Sequence, residues 1–127
     1  MKILVIEDQP AELKLAQDVL QAAGHEVNGA STADEAYDLI ASDRPEVILL
    51  DLYMPGTDGL TLVRQLKGAP ETADIHIVTM TSYTETFSRT ATLAAGSAAY
   101  LLKPLNTRTL SDDLQAAVAS KQAPPLP

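Results

Sequence analysis

In Pro45-Glu46-Val47-Ile48-Leu49-Leu50-Asp51-Leu52-Tyr53-Met54-Pro55-Gly56-Thr57-Asp58-Gly59, an unbroken run of large aliphatic residues, Val47 to Leu50, ends directly on a carboxylate, Asp51. The run is too short for an independent helix and predicts a strand buried on both faces. The Met54-Pro55-Gly56-Thr57-Asp58-Gly59 segment can only be a turn, which leaves Asp51 at the C-terminal mouth of the strand. In an open α/β sheet, ligands bind along that edge.

The same layout of strand followed by polar group recurs on either side. Lys2 to Ile6 is a β-branched-rich run ending in Glu7-Asp8. Ile75 to Met80 is a further strand and leads into Thr81, Ser82 and Tyr83, while Ala98 to Leu102 runs into Lys103-Pro104. A weakly alternating stretch from His25 to Ala30 completes five strands. Between them lie helical patterns. Pro10 opens the first, over about 10 to 23, and Gly24 stops it. Thr32-Ala33-Asp34-Glu35 has the spacing of a capping box for a helix over about 33 to 41. Leu60, Val63 and Leu66 mark a third helix, a small-residue helix over about 85 to 95 is closed by Gly96, and a last one is capped by Asn106 or Thr107.

Strands alternating with helices predict a doubly wound α/β fold: a five-stranded parallel sheet, (βα)5 and flavodoxin-like, with strand order 2-1-3-4-5. Glu7, Asp8, Asp51, Thr81 and Lys103 then converge on one edge of one sheet.

Composition narrows the function. The chain has 127 residues, enough for one domain with a core of its own; residues 1–120 are expected to form that domain, and the proline-rich 121–127 a flexible tail or a severed linker. With no cysteine there is no disulfide framework or thiol nucleophile. A formal net charge of −8 disfavours direct nucleic-acid binding, which needs clustered Lys and Arg, and points to protein or cation partners. No apolar run approaches the ~20 residues that span a bilayer, and the N-terminus reaches charge too early for a signal peptide, so a cytoplasmic protein without membrane insertion is expected.

Carboxylates gathered at one mouth repel: at ~4 Å and an effective dielectric of about 20, a charged pair costs roughly 4 kcal/mol before relaxation. A cation must offset this. A hard, oxygen-rich site with few protein ligands suits Mg²⁺, which binds one or two carboxylates plus a phosphate and keeps several waters. Lys103 adds an ammonium and Thr81 a hydroxyl donor, so the group has the parts of a phosphoryl-transfer site with Asp51 as the nucleophile.

Together these residues resemble the receiver domain of two-component response regulators, over residues 1 to about 120. The likeness rests on Glu7-Asp8, on Asp51 followed by Met54-Pro55 and Gly59, on Thr81, and on Tyr100 ahead of Lys103-Pro104. It implies Asp51 as phosphoacceptor and Glu7, Asp8, Asp51 and the Tyr53 backbone carbonyl as ligands of Mg²⁺, with Mn²⁺ able to substitute. Thr81 and Lys103 would contact the phosphoryl group, Thr81 and Tyr100 would form the switch, and Lys103-Pro104 matches a bond often cis in the family. Glu7 stands where many receivers have Asp. Tyr53 and Tyr83 occupy the two variable positions that modulate phosphoryl lifetime, and both are bulky here. The resemblance further implies a single-domain regulator, phosphorylated by a histidine kinase or His-phosphotransfer protein. It would signal to a downstream protein through its fourth helix, fifth strand and fifth helix.

Taken singly, each residue has a plainer role. Asp51 could be a loop acid, Glu7-Asp8 a helix cap, Thr81 a turn hydroxyl, Lys103 a solvated charge and Tyr100 a core ring. His25 and His76 lack a partner at metal-ligand spacing and are read as structural. Three other functions fit less well. A phosphatase using an aspartyl phosphate would need a second acid two positions after Asp51, where Tyr53 stands. A flavin or nucleotide carrier would need a glycine-rich loop where Glu7-Asp8-Gln9-Pro10 stands. A degenerate receiver serving only as a docking module would not retain every chemical group.

Overall fold

A computed structural model of the protein describes residues 1–120; the proline-rich 121–127, expected to be a flexible tail, lies outside the described residues. In chain order the elements are β1 (Lys2–Ile6), α1 (Pro10–Ala22), β2 (Glu26–Ala30), α2 (Ala33–Ser42), β3 (Val47–Asp51), β4 (Tyr53–Met54), β5 (Thr57–Asp58), α3 (Gly59–Gly68), β6 (His76–Thr81), α4 (Arg89–Ala95), β7 (Ala99–Leu102) and α5 (Leu110–Ser120). Five strands form one parallel sheet in the order β2-β1-β3-β6-β7. Since β6 and β7 are the fourth and fifth strands read from the sequence, this is the expected 2-1-3-4-5 arrangement.

The strand β3 sits at the centre, and every residue of it is buried. Its alternate side chains feed two cores. Ile48 and Leu50 join Leu4, Ile6, Ile77 and Tyr100 beneath Ala36 and Ile40 of α2 and Leu62, Val63 and Leu66 of α3. Val47 and Leu49 join Ile3, Val5, Val78 and Met80 beneath Ala16 and Leu20 of α1 and Leu110, Leu114 and Ala117 of α5. Each buried aliphatic side chain contributes about 2 kcal/mol of transfer free energy as an upper estimate, so the central strand anchors whatever its last residue carries.

The local signals act as their chemistry dictates. Pro10 occupies the first turn of α1, the Thr32 hydroxyl accepts from the Glu35 amide at 3.1 Å, and Gly96 closes α4 at φ +120°. Three features differ from expectation. The turn after Asp51 contains an antiparallel ribbon, Tyr53 opposite Asp58 and Met54 opposite Thr57. The fourth helix begins at Arg89 rather than near residue 85, because the Ser88 hydroxyl caps it by accepting from the Ala91 amide at 3.2 Å while Phe87 is drawn into the core. Asn106 accepts from the Arg108 amide at 3.0 Å and so heads a turn, with α5 proper starting only at Leu110.

Ser97 is buried; its hydroxyl donates to the Ala99 carbonyl at 2.6 Å and meets the Thr79 hydroxyl at 3.1 Å. It ties the start of β7 to β6.

Candidate functional site

Parallel pairing in register brings Glu7, Asp51, Thr81 and Lys103 to the same edge of the sheet, each at or just past the end of its strand. Asp51 is 4 % exposed; its Oδ1 accepts from the Tyr53 amide at 3.1 Å. The loop behind it is closed by the Gly59 amide donating to the Leu52 carbonyl at 3.1 Å. A Cβ on Gly59 would lie 2.5 Å from the Leu52 Cα and carbonyl oxygen, a distance real side chains do not reach, so only glycine permits this closure.

Glu7 is fully buried, its Oε1 accepting from the Gln9 amide at 3.1 Å and its Oε2 from the Lys103 ammonium at 2.7 Å. Lys103 also donates to Asp51 Oδ2 at 3.1 Å and to Glu12 Oε2 at 3.3 Å. The Lys103-Pro104 peptide bond is cis. One ammonium thus holds three carboxylates from three separate elements.

The electrostatics follow from this. Burial pushes the Glu7 carboxyl up and the charge on Asp51 adds to the effect; Lys103 and the Gln9 amide oppose them, leaving its pKa at about 7 against an ordinary 4.5. Burial acts to lower the Lys103 pKa, but Glu7 and Asp51 outweigh it and the ammonium is held above its ordinary value. The carboxylates remain in excess. Glu7, Asp8 and Asp51 each offer an oxygen within 4.8 Å of one another, a hard donor set suited to a small divalent cation.

The remaining residues singled out in the sequence take up varied positions. Tyr53 and Tyr83 line the depression over Asp51 with Asp8, Glu12 and Lys103. Their ring centroids are 4.5 Å apart with planes tilted by 40°, and each residue is about half exposed. Thr81 is fully buried at the end of β6, and its hydroxyl oxygen accepts from the Tyr83 amide at 2.8 Å. Tyr100 is buried too, and its hydroxyl donates to the Phe87 carbonyl. The ring of Tyr100, half of the expected switch, thus lies inside the core. His25 bridges to the Ser111 hydroxyl at 2.8 Å, away from the acidic group.

Glu12 and Phe87 were not singled out from the sequence. Glu12 lies in the first turn of α1, two residues past Pro10, and so close in sequence to the Glu7-Asp8 pair. Nothing local in the sequence marks the Phe87 carbonyl.

Residues 3–115 match the family described as the response regulator receiver domain. The chain belongs to the receiver domain family of response regulators. It is 37 % identical over 105 residues to the response regulator PleD of Caulobacter vibrioides, covering 83 % of this chain and 23 % of that protein. It is 30 % identical over 118 residues to the protein PilH of Pseudomonas aeruginosa, covering 93 % of this chain and 98 % of that one. Among solved structures, the chemotaxis response regulator CheY4 of Vibrio cholerae superposes with a TM-score of 0.82 at 28 % identity, over 91 % of this chain and 97 % of that one. The chain spans under half the length of several curated response regulators it matches, including PleD at 23 % and the MprA proteins of mycobacteria at 44 %. Receiver domains are signalling modules of two-component systems rather than enzymes in the usual sense, and they work with histidine kinases or phosphotransfer proteins. Among the described residues no helix is long and apolar enough to cross a membrane.

Proposed function

We propose that this receiver takes a phosphoryl group onto Asp51 from a phosphohistidine of a histidine kinase or His-phosphotransfer protein. The observation that carries the reading is the Lys103 ammonium joined to both Asp51 and Glu7, with an oxygen of Asp8 in the same cluster. An Asp51 carboxylate oxygen forms the new O–P bond as the P–N bond breaks; the electron pair goes to the imidazole nitrogen of a phosphohistidine protonated on its other ring nitrogen, so that neutral histidine leaves. Lys103 shifts one N–H to a phosphoryl oxygen, and Thr81 turns its O–H, which the bond accepted from the Tyr83 amide does not occupy, toward another.

Glu7, Asp8, Asp51 and the Tyr53 carbonyl would hold Mg²⁺, or Mn²⁺ in its place, and a bound divalent cation would offset the charge on the transferring oxygens. A shift of Thr81 toward the phosphoryl group would pull on the Tyr83 amide bonded to it and so relax the 83–88 turn that Tyr100 grips through Phe87. That turn leads into α4, so the surface made by α4, β7 and α5 would change and meet a downstream protein. The two cores, with α1 and α5 on one and α2 and α3 on the other, support a doubly wound, flavodoxin-like sheet as the frame. The formal net charge of −8, which disfavours direct nucleic-acid binding, supports a regulator of the cytoplasm that signals by protein contact.

Incubation with acetyl phosphate and Mg²⁺ followed by intact-mass measurement tests this. One added phosphoryl group, absent in Asp51→Asn, is expected; a folded wild-type protein that gains none would overturn the proposal.

A further inference from the structure

The Lys103 ammonium has three N–H donors, and three carboxylates take them: Glu7 at 2.7 Å, Asp51 at 3.1 Å and Glu12 at 3.3 Å. The three acceptors are held very differently. The side chains of Glu7 and Asp51 are 0 % and 6 % exposed, whereas that of Glu12 is 49 % exposed and makes the longest of the three contacts. Glu12 also lines the depression through which Asp51 is reached, beside Asp8 and Tyr83. Any phosphoryl oxygen that Lys103 is to contact must displace one of these partners. Glu12 is the one whose release leaves no buried carboxylate unpaired.

We propose that Glu12 is a positioning residue for Lys103 and a charge filter at the mouth of the site: it saturates the ammonium before phosphorylation and disfavours phosphodonors in proportion to their negative charge. This rests on Asp51 being the phosphoacceptor. The two actions have the same sign. Removing the Glu12 charge frees an N–H of Lys103 for the incoming oxygen and lowers the repulsion met by an anionic donor, while Glu7 and Asp51 keep the ammonium in place. A purely structural Glu12, favoured in the first turn of α1 by the helix dipole, would alter stability and leave donor preference untouched.

The test compares wild type, Glu12→Gln and Glu12→Asp at saturating Mg²⁺ with two small donors. In both reactions an Asp51 oxygen bonds to phosphorus. With acetyl phosphate, a dianion at neutral pH, the P–O bond to the acetyl group breaks and acetate leaves with the electron pair. With phosphoramidate, a monoanion, the P–N bond breaks and ammonia leaves. Glu12→Gln is expected to raise the acetyl phosphate rate about two- to fivefold, the range an incompletely buried ion pair supports, and the phosphoramidate rate by less. Salt, which screens exposed charge, is expected to accelerate acetyl phosphate transfer to wild type more than to Glu12→Gln. Glu12→Asp, retaining the charge, is expected to keep the wild-type donor preference. Unchanged or slower transfer in Glu12→Gln, or an equal rise for both donors, overturns the role of Glu12 while leaving Asp51 as phosphoacceptor intact. Failure of wild type to accept phosphate from either donor overturns both.

Discussion

The Tyr100 hydroxyl donates to the Phe87 carbonyl across a buried gap between β7 and the turn that leads into α4. Both residues are only 8 % exposed. The contact joins the last strand of the sheet to a segment that has no regular structure of its own, and it holds the Phe87 ring in the core shared by α2 and α3.

Tyr100→Phe keeps the ring and removes the donor, leaving the Phe87 carbonyl buried without this partner. The expected cost is about 1–2 kcal/mol. For a domain of this size it corresponds to a melting temperature lower by roughly 3–8 °C. Hydrogen exchange in the 83–88 turn should accelerate more than in β3, because the loss is local. Unaltered melting and unaltered exchange would show that the hydroxyl does not secure the turn.

This contact also marks where sequence reading stops. The sheet was legible because β3 is apolar on both faces, and its ending in Asp51 identified the functional edge. Glu7, Asp8 and Lys103 were legible for the same reason: each directly follows a strand whose direction is fixed by parallel pairing. The start of α4 was not. Residues 85–88 have a composition that a helix tolerates, and the choice is made by the Ser88 cap and by a backbone carbonyl answering to Tyr100, thirteen residues away. Glu12 is intermediate: its place in the first turn of α1 is visible, but its bond to Lys103 depends on the placement of β7 beside β6.

Tyr53 and Tyr83 present a second relationship with a measurable consequence. Their rings stand 4.5 Å apart at the rim of the depression over Asp51, one carried by the ribbon after β3 and the other by the turn after β6. If Asp51 carries the phosphoryl group as proposed, a pair of this kind would narrow the approach of water to it, and contact between the rings restrains both. Replacing either ring with a small polar residue, Tyr53→Asn or Tyr83→Ser, is expected to speed autodephosphorylation severalfold, timed by loss of the phosphoryl mass after the donor is removed. Because the rings support each other, the double variant should gain less than the product of the two single gains. Equal lifetimes in all four proteins would refute the shielding role.

The buried carboxyl of Glu7 gives the protein a pH dependence whose sign is opposite to that of an ordinary ion-paired acid. Its folded pKa, about 7, is above the ordinary 4.5, so the folded state binds the proton more tightly than the unfolded chain. The associated stability is fully present below about 4.5 and is lost as pH rises through about 7. His25 works the other way: burial lowers its pKa, and its contribution diminishes as pH falls below the ordinary value of 6.5. Comparing wild type with Glu7→Gln cancels His25. In chelator, the urea midpoint of wild type relative to Glu7→Gln should fall between pH 5 and pH 8. Adding Mg²⁺ at pH 8 should recover stability in wild type and recover less in Glu7→Gln, since a bound cation favours ionised Glu7. A difference between the two proteins that stays constant across this pH range would mean that Glu7 is ionised throughout, and that Lys103 outweighs burial at the centre of the site.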